Sequence, residues 1–449
     1  MTLLTPHQKF FSYRNTFNLY NNFIITAKAN QYIKTSDLEA SIDQLLSQRL
    51  LLRANVNTKD FTLRELPEVH AGDCYDIIPD MDGIDDKEEI LKVCMDIHRT
   101  VKFEFDVSLP LWRIFIYKDW YIIALDHTLY DGTTAMSILN DLFLLIQGKT
   151  IEEEEDVDVV NLKYEEFLRI SLWSLGKVVF HELIKPKLYR SVQDFFSLTR
   201  FYRNNNWFKV KGEQTRLDEL VSLNRLVSIP NERLKPVLQT LKTKKLSFQT
   251  LLNYATVKAF DKLSPDSSIK ISIPINLRKF LNVSPYSYGL FVTEAIIPVT
   301  PASARTSKLN LDEPLNWDLL QHLESYLSLP NQLQRKSLVA SLKYVSGFDR
   351  FSTMSKAAKA NHPSTIEFSN LRAPSNELIE QWIFSQTADD FSCLFPCTVI
   401  SNENCTNITL VGHISLTGDS LFDRFTDQFE KELDSVLNLF DELVLSGVK

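Results

Sequence analysis

Glycine is scarce in this sequence, with 11 in 449 residues, and no GxGxxG segment is present. The pyrophosphate of a dinucleotide usually binds to a glycine-rich loop that leads into the first turn of a helix. The absence of such a loop argues against a nucleotide site of the Rossmann type.

Cysteine is also scarce, and its five positions do not form a disulfide framework. The number is odd and the residues are far apart, at Cys74, Cys94, Cys393, Cys397 and Cys405. This pattern fits a reducing, intracellular compartment. Cys393 and Cys397 have a spacing compatible with a metal ion, but no second group of ligands stands near them in the sequence. We therefore predict unreactive thiols and no metal site.

Long apolar runs and a basic surface are missing as well. No run approaches the roughly 20 apolar residues of a membrane-spanning helix, and the N-terminal residues lack the apolar core of a secretory signal. The net charge of -8 argues against a nucleic-acid partner. The expectation is a cytoplasmic monomer that is at most peripheral to a membrane.

The predicted strands and helices follow a similar order in the two halves of the chain, which favours two αβ domains of similar build. Residues 1–160 and 226–449 would be the two domains, and residues 161–225 a linker between them. Helices are predicted to begin at Ser36, with Glu39 three positions later as a capping box, and at Ser247. Apolar segments on both sides of Lys118 predict a β-hairpin.

The linker contains a basic and aromatic segment, residues 169–211, with nine Lys or Arg against two acidic residues. One interpretation is a surface that rests on an anionic membrane or contacts a polyanionic ligand. The other is a long crossover with buried aromatic rings and solvated charges. We favour the crossover because no continuous amphipathic stripe is present.

The strongest candidate site is the stretch IIALDHTLYDGTTAMSIL, residues 122–139. An apolar strand ends at His127, and a helical pattern begins after Asp131 and Gly132. Asp131 is suited to cap that helix, and Gly132 permits a backbone conformation that a side chain would obstruct. A neutral histidine held in such a turn can act as a general base near neutral pH. The alternative is a buried polar histidine followed by an ordinary cap.

With this motif the sequence resembles the HxxxD superfamily of CoA-dependent acyltransferases, and within it the fungal alcohol acetyltransferases. The resemblance is carried by the aromatic-rich opening FFSYRNTFNLYNNF, by HTLYDG, by IPINLR (Ile273–Arg278) and by IEFSNLRAP (Ile366–Pro374). It implies an α/β (α+β) fold of two chloramphenicol acetyltransferase-like domains with a channel between them. CoA would be bound by side chains, since the chain lacks a glycine-rich loop.

The resemblance also implies a role for each site residue. His127 would take the proton of the acceptor as it attacks the thioester of acetyl-CoA, so no acyl-enzyme is needed. Asp131 would pair with Arg278 and serve structure. The backbone near Gly132 and the side chain of Asn370 would stabilise the oxyanion. Otherwise Arg278 is a surface arginine and Asn370 a turn residue.

The sequence is compatible with three functions. The first is transfer of an acetyl group to the hydroxyl of a hydrophobic alcohol, and the second is transfer to a sphingoid-like long-chain amine. The third is a binding protein that keeps the fold without the reaction. Some family members are held on lipid droplets or the endoplasmic reticulum by amphipathic terminal helices. The last helix predicted here is acidic, so a peripheral membrane contact stays open.

Overall fold

A computed structural model provides the three-dimensional structure. It describes most of the chain, namely residues 2–17, 22–80, 86–153, 155–169, 222–306, 315–328, 336–342, 364–387 and 393–445 with residues 176, 208 and 309. The basic and aromatic segment lies almost entirely outside the described residues. Both interpretations of that segment therefore stay predictions.

Strands and helices alternate along much of the described chain. The described strands are β1 (Phe23–Ala29), β2 (Ala54–Asn57), β3 (Thr62–Glu65), β4 (Tyr75–Ile77), β5 (Trp112–Tyr117), β6 (Trp120–Leu125), β7 (Ser222–Pro230), β8 (Ile269–Asn276), β9 (Val292–Val299), β10 (Ser364–Arg372), β11 (Ile379–Gln386), β12 (Cys393–Ser401) and β13 (Cys405–His413). The described α-helices are α1 (Pro6–Thr16), α2 (Thr35–Gln48), α3 (Asp86–Thr100), α4 (Gly132–Ile146), α5 (Val157–Phe167), α6 (Asn231–Thr243), α7 (Phe248–Leu263), α8 (Arg278–Leu281), α9 (Trp317–Ser325), α10 (Lys336–Ser341) and α11 (Ile414–Leu445).

The first sheet has the strand order β11–β1–β6–β5–β4. Strands β5 and β6 form the predicted hairpin, and Lys118 occupies the tight turn with a φ of 54°. Every residue of β6 is buried, which explains its continuous apolar sequence. The strand that leads to His127 is thus held by neighbours on both edges and both faces.

The second sheet has the order β7–β13–β12–β10–β8–β9. Its apolar core includes aromatic rings of α7, β12 and α11, among them Phe260, Phe395 and Phe425. Helix α11 is 32 residues long. No helix in the described part of the chain is both long and apolar enough to cross a membrane.

Strand β11 belongs to the second half of the chain but pairs with β1 of the first sheet, in a register that joins Phe23 to Gln386. The side chains of Thr398 and Asn407 in the second sheet donate hydrogen bonds to the backbone carbonyls of Phe384 and Trp382. This strand crosses the division predicted at residue 226. The domain limits stay a prediction, and the sheets do not separate at a single point in the sequence.

Two local predictions are confirmed. The hairpin around Lys118 is present, and Ser247 accepts a hydrogen bond from the backbone N–H of Thr250 at the start of α7. The predicted Ser36 cap is wrong because α2 begins at Thr35. Its intended partner, Glu39, instead accepts a hydrogen bond from the hydroxyl of Tyr75.

No disulfide bond joins the five cysteines, all of which lie in the described part of the chain. Four of them are buried. Burial raises the pKa of Cys74 and Cys94 to about 12, so these thiols stay protonated at neutral pH. The described residues contain no cluster of three or more His, Cys, Asp or Glu side chains able to hold a metal ion.

Candidate active site

The turn after β6 is held by Asp126, which is buried. Its carboxylate accepts a hydrogen bond from the backbone N–H of Thr128 at 2.8 Å and another from the side-chain amide of Asn15 at 2.6 Å. These two hydrogen bonds stabilise the turn that follows β6 and contains His127. Asp126 was not singled out as a site residue from the sequence, although it directly precedes the motif.

The imidazole of His127 is half-buried between two aromatic rings. The ring of Phe11 stacks on it, with centroids 4.4 Å apart and planes 19° apart, and Phe23 is tilted against it at 4.9 Å. Burial and the nearby positive charge of Arg14 lower the pKa of His127 to about 4, although the Asp131 carboxylate opposes this effect. At neutral pH the imidazole is uncharged and can accept a proton.

The carboxylate of Asp131 is occupied by protein donors. It caps α4 by accepting the backbone N–H of Thr134 at 2.9 Å, and it accepts the backbone N–H of Phe291 at 2.9 Å. Two nitrogens of Arg278 bind its two oxygens at 2.8 and 2.9 Å. Burial alone would raise the pKa of Asp131, but Arg278 and these hydrogen bonds hold it below its usual value.

Arg278 lies at the start of α8, directly after β8, and is 1% exposed. It is therefore not a surface arginine. Its guanidinium also donates to the backbone carbonyl of Ser287 at 2.8 Å and to the hydroxyl of Thr134 at 2.9 Å. A bidentate arginine pair of this kind fixes both distance and orientation. The pair joins the His127 turn to the end of a strand in the second sheet.

Gly132 has a different role from the one expected. Its φ is not in the left-handed region, so no special backbone conformation requires glycine there. A Cβ atom at this position would instead lie 3.2 Å from Leu371 and 3.4 Å from Phe384. Glycine allows β10 and β11 to approach the first turn of α4 closely.

Asn370 lies on β10, next to Leu371, and its side chain is exposed. Its amide donates a hydrogen bond of 3.3 Å to the side chain of Gln249 on α7. It is thus part of a strand and not a turn residue. The next residue of the strand, Leu371, is the one that lies against Gly132. Stabilisation of an oxyanion by Asn370 stays a prediction.

The surroundings of His127 include residues that were not selected as site residues from the sequence. Phe11 and Arg14 belong to α1, and Phe23 opens β1. The aromatic-rich opening is visible in the sequence, but nothing in the sequence places this helix beside residue 127, so the pattern assigns none of its residues to the site.

Comparison with known protein families shows which family this chain belongs to. The sequence model described as alcohol acetyltransferase matches residues 82–442, which is most of the chain. The chain belongs to this family. The membership confirms the resemblance inferred from HTLYDG, IPINLR and IEFSNLRAP, and it places the chain in a family of acyltransferases.

The chain is also similar in sequence to the N-acetyltransferase SLI1 of Saccharomyces cerevisiae. The two sequences are 22% identical over 308 residues, which covers 62% of this chain and 64% of the relative. The match thus spans less than two thirds of that protein.

Solved structures show the same fold over nearly the whole chain. The trichothecene 15-O-acetyltransferase TRI3 of Fusarium sporotrichioides matches with a TM-score of 0.65 and 13% identity, covering 97% of this chain and 94% of that one. The epimerization domain from the third module of tyrocidine synthetase B matches with a TM-score of 0.63 and 12% identity, covering 98% and 97%. At these identities the similarity concerns the fold alone. It confirms the predicted two-domain fold of the chloramphenicol acetyltransferase type.

Proposed function

We propose that the protein transfers the acetyl group of acetyl-CoA to the hydroxyl of a hydrophobic alcohol, with His127 as the general base. The observation that carries the proposal is the position of the His127 imidazole, just after a buried strand and in a turn held by the Asp131–Arg278 pair. Family membership supports the same type of reaction. The third possibility, a binding protein without the reaction, leaves this arrangement unexplained.

In the proposed reaction the neutral imidazole of His127 removes the hydroxyl proton of the acceptor. The acceptor oxygen forms a bond to the thioester carbonyl carbon, and the carbon–sulfur bond of acetyl-CoA then breaks. The imidazolium returns the proton to the departing CoA sulfur. No covalent acyl-enzyme forms, so the chemistry needs neither a nucleophilic serine nor a cysteine.

The other site residues support this step without taking part in proton transfer. Asp131 has its oxygens bound by Arg278 and by backbone N–H groups, which suits a structural role. Stabilisation of the oxyanion would come from the backbone near Gly132 and from Asn370, whose exposed amide retains one further N–H.

The second candidate is transfer to the amino group of a sphingoid-like long-chain amine. The similarity to the N-acetyltransferase SLI1 favours it, whereas the description of the matched family favours an alcohol. His127 would serve either acceptor because it only removes a proton. Further parts of the proposal are a cytoplasmic, monomeric protein without a nucleic-acid partner, with at most a peripheral contact with lipid droplets or the endoplasmic reticulum.

The test follows release of the CoA thiol from acetyl-CoA by the purified protein. Isoamyl alcohol, a long-chain alcohol and a sphingoid base serve in turn as acceptors. We expect His127→Ala to reduce acceptor-dependent release by at least about 100-fold, the usual contribution of a general base. The matched control is His322→Ala, which removes an exposed histidine of α9 and should retain full activity.

Each outcome distinguishes the candidates. Stimulation by alcohols supports the first function, and stimulation by the amine alone supports the second. No release with any acceptor favours the binding protein. A folded and fully active His127→Ala protein would refute the general-base role.

A further inference from the structure

One face of α1 is directed at the His127 turn. His7, Phe11 and Asn15 are four residues apart, and side chains with this spacing lie above one another on a helix. Phe11 contacts the imidazole itself, and His7 and Asn15 bind residues that surround the turn. Helix α1 and strand β1 precede residues 82–442, the part matched by the family model.

In the middle of this face the Phe11 ring covers one side of the imidazole, nearly parallel to it at 4.4 Å. The guanidinium carbon of Arg14 lies 5.1 Å from the centroid of the same phenyl ring. A phenyl face attracts both groups, so the helix brings a cation near the histidine with an aromatic ring in contact with both.

Both ends of the face are anchored to the rest of the site. At the C-terminal end the amide of Asn15 binds the carboxylate of Asp126, the residue directly before His127, at 2.6 Å. At the N-terminal end the Nδ1 atom of His7 and the hydroxyl of Tyr164 on α5 are 2.9 Å apart.

Tyr164 also connects α1 to the Asp131–Arg278 pair. The ring of Tyr164 packs edge-on against Phe291 at 5.8 Å, and the backbone N–H of Phe291 binds Asp131. The N-terminus of α1 is stabilised by a capping box between Thr5 and Gln8. Displacement of the helix would therefore break the His7–Tyr164 and Asn15–Asp126 hydrogen bonds.

We propose that α1 is a clamp on the general base and that Phe11 is its positioning residue. The phenyl ring restricts rotation of the imidazole and keeps water from one of its faces. This inference rests on the proposed function, because it assigns Phe11 a role in the reaction that His127 would perform.

The charged and titratable groups around His127 agree with this role. Helix α1 contributes Arg14 and His7, and the turn itself contributes Asp126 and Asp131. The positive charge of Arg14 favours the neutral imidazole, whereas Asp131 favours the imidazolium. Burial lowers the pKa of His7 to about 3, so this histidine adds no positive charge at neutral pH. Strand β1 contributes the uncharged ring of Phe23.

The test compares Phe11→Ala, Phe11→Leu and Phe11→Tyr in the full-length protein. Steady-state rates with acetyl-CoA and isoamyl alcohol give kcat and KM. Histidine-labelled protein gives the titration of His127 by NMR, and His127→Gln identifies its signal among the eight histidines. The matched control is Tyr13→Leu, which removes an aromatic ring of α1 that packs against Phe61.

We expect Phe11→Ala to lower kcat by about 10- to 100-fold, the usual cost of a misplaced catalytic group, with KM for acetyl-CoA within about threefold. The NMR midpoint of His127 should rise from about 4 toward the ordinary value of 6.5 as water reaches the ring. Phe11→Leu should show the same changes in smaller measure, and Phe11→Tyr should retain more of kcat than Phe11→Ala. Tyr13→Leu should leave the midpoint in place.

The clamp is wrong if Phe11→Ala keeps the kcat and the midpoint of the unmodified protein. It is also wrong if Tyr13→Leu lowers kcat and raises the midpoint equally. Absence of thiol release by the unmodified protein with isoamyl alcohol, a long-chain alcohol and a sphingoid base would instead overturn the proposed function. In that case the NMR midpoint alone still decides whether Phe11 controls the environment of His127.

Discussion

At the scale of single residues, the Asp131–Arg278 pair shows how a buried charge is retained next to a reactive group. Both side chains are almost completely inaccessible, at 2% and 1% exposure. Removing two charges from water is costly, and only close, bidentate contacts with further hydrogen bonds compensate for it. The pair therefore depends on both partners and ties the His127 turn to β8.

Asp131→Asn is expected to destabilise the protein by about 3–5 kcal/mol, since it leaves the Arg278 guanidinium buried without a counter-charge. Chemical denaturation at pH 7 measures this loss. The control is Glu65→Gln, which breaks an exposed pair with Arg53 and should cost less than about 1 kcal/mol.

The pH dependence provides a second check on Asp131. Its pKa in the folded protein lies below the ordinary 3.8, so its stabilising contribution is present above that pH and is lost as the pH falls further. The difference between the unmodified protein and Asp131→Asn should shrink in acid. A difference that stays constant down to pH 2 would contradict this assignment.

At the scale of elements, one histidine fastens helix α3 to β11 and to the residue directly before β1. His98 lies near the end of α3 and is 3% exposed. Its Nδ1 atom is 2.6 Å from the side-chain oxygen of Asn22, and its Nε2 atom is 2.9 Å from the hydroxyl of Ser385 on β11. Burial lowers the pKa of His98 to about 3, so the folded protein keeps this imidazole neutral.

Acid should therefore weaken the fold through His98. The unfolded chain binds a proton here below pH 6.5, whereas the folded chain does not until about pH 3, so stability present at pH 7 is lost as the pH falls. This single group should cost about 2 kcal/mol between pH 7 and pH 5.

Chemical denaturation of His98→Gln at both pH values measures this cost. The variant should be less stable at pH 7 but should lose about 2 kcal/mol less on acidification. His322→Gln, at an exposed position, should follow the unmodified protein. Equal losses in His98→Gln and the unmodified protein would show that His98 is not the responsible group.

At the scale of the whole molecule, β11 couples the two sheets. It pairs with β1 through its backbone and receives side-chain hydrogen bonds from the second sheet. Asn407 on β13 is central to this contact. Its amide donates to the carbonyl of Trp382 at 2.6 Å, and its oxygen accepts the hydroxyl of Ser228 at 2.7 Å.

Asn407→Ala should lower the free energy of unfolding by about 1–3 kcal/mol, because it leaves buried polar groups without partners. Hydrogen exchange should become faster in β1 and β6 as well as in β13, since loss of the contact loosens β11 in the first sheet. Asn438→Ala, an exposed change on α11, is the control. Faster exchange confined to β13 would show that β11 does not couple the sheets.

Elements that depend on neighbours in the sequence could be predicted. The apolar pattern and the turn at Lys118 sufficed for the β5–β6 hairpin, and a serine before an apolar periodic run sufficed for the start of α7. The same reasoning failed at Ser36, where a serine and a glutamate have the correct spacing but the cap position falls on Lys34, two residues earlier. Short-range patterns do not show which competing partner, here Tyr75 for Glu39, a side chain will find.

The same distinction between local and long-range features applies to the residues of the site. The position of a histidine between a buried strand and a capped helix could be predicted from the residues alone, because strand, cap and helix are all local features. The family resemblance named Arg278, 147 residues away, as the partner of Asp131, and the folded chain shows their contact. That Phe11 covers the imidazole emerged from the fold alone. The tertiary structure also decided that β11 completes the first sheet. These contacts depend on how distant segments share one buried space, and the order of residues along the chain does not encode that arrangement in any local pattern.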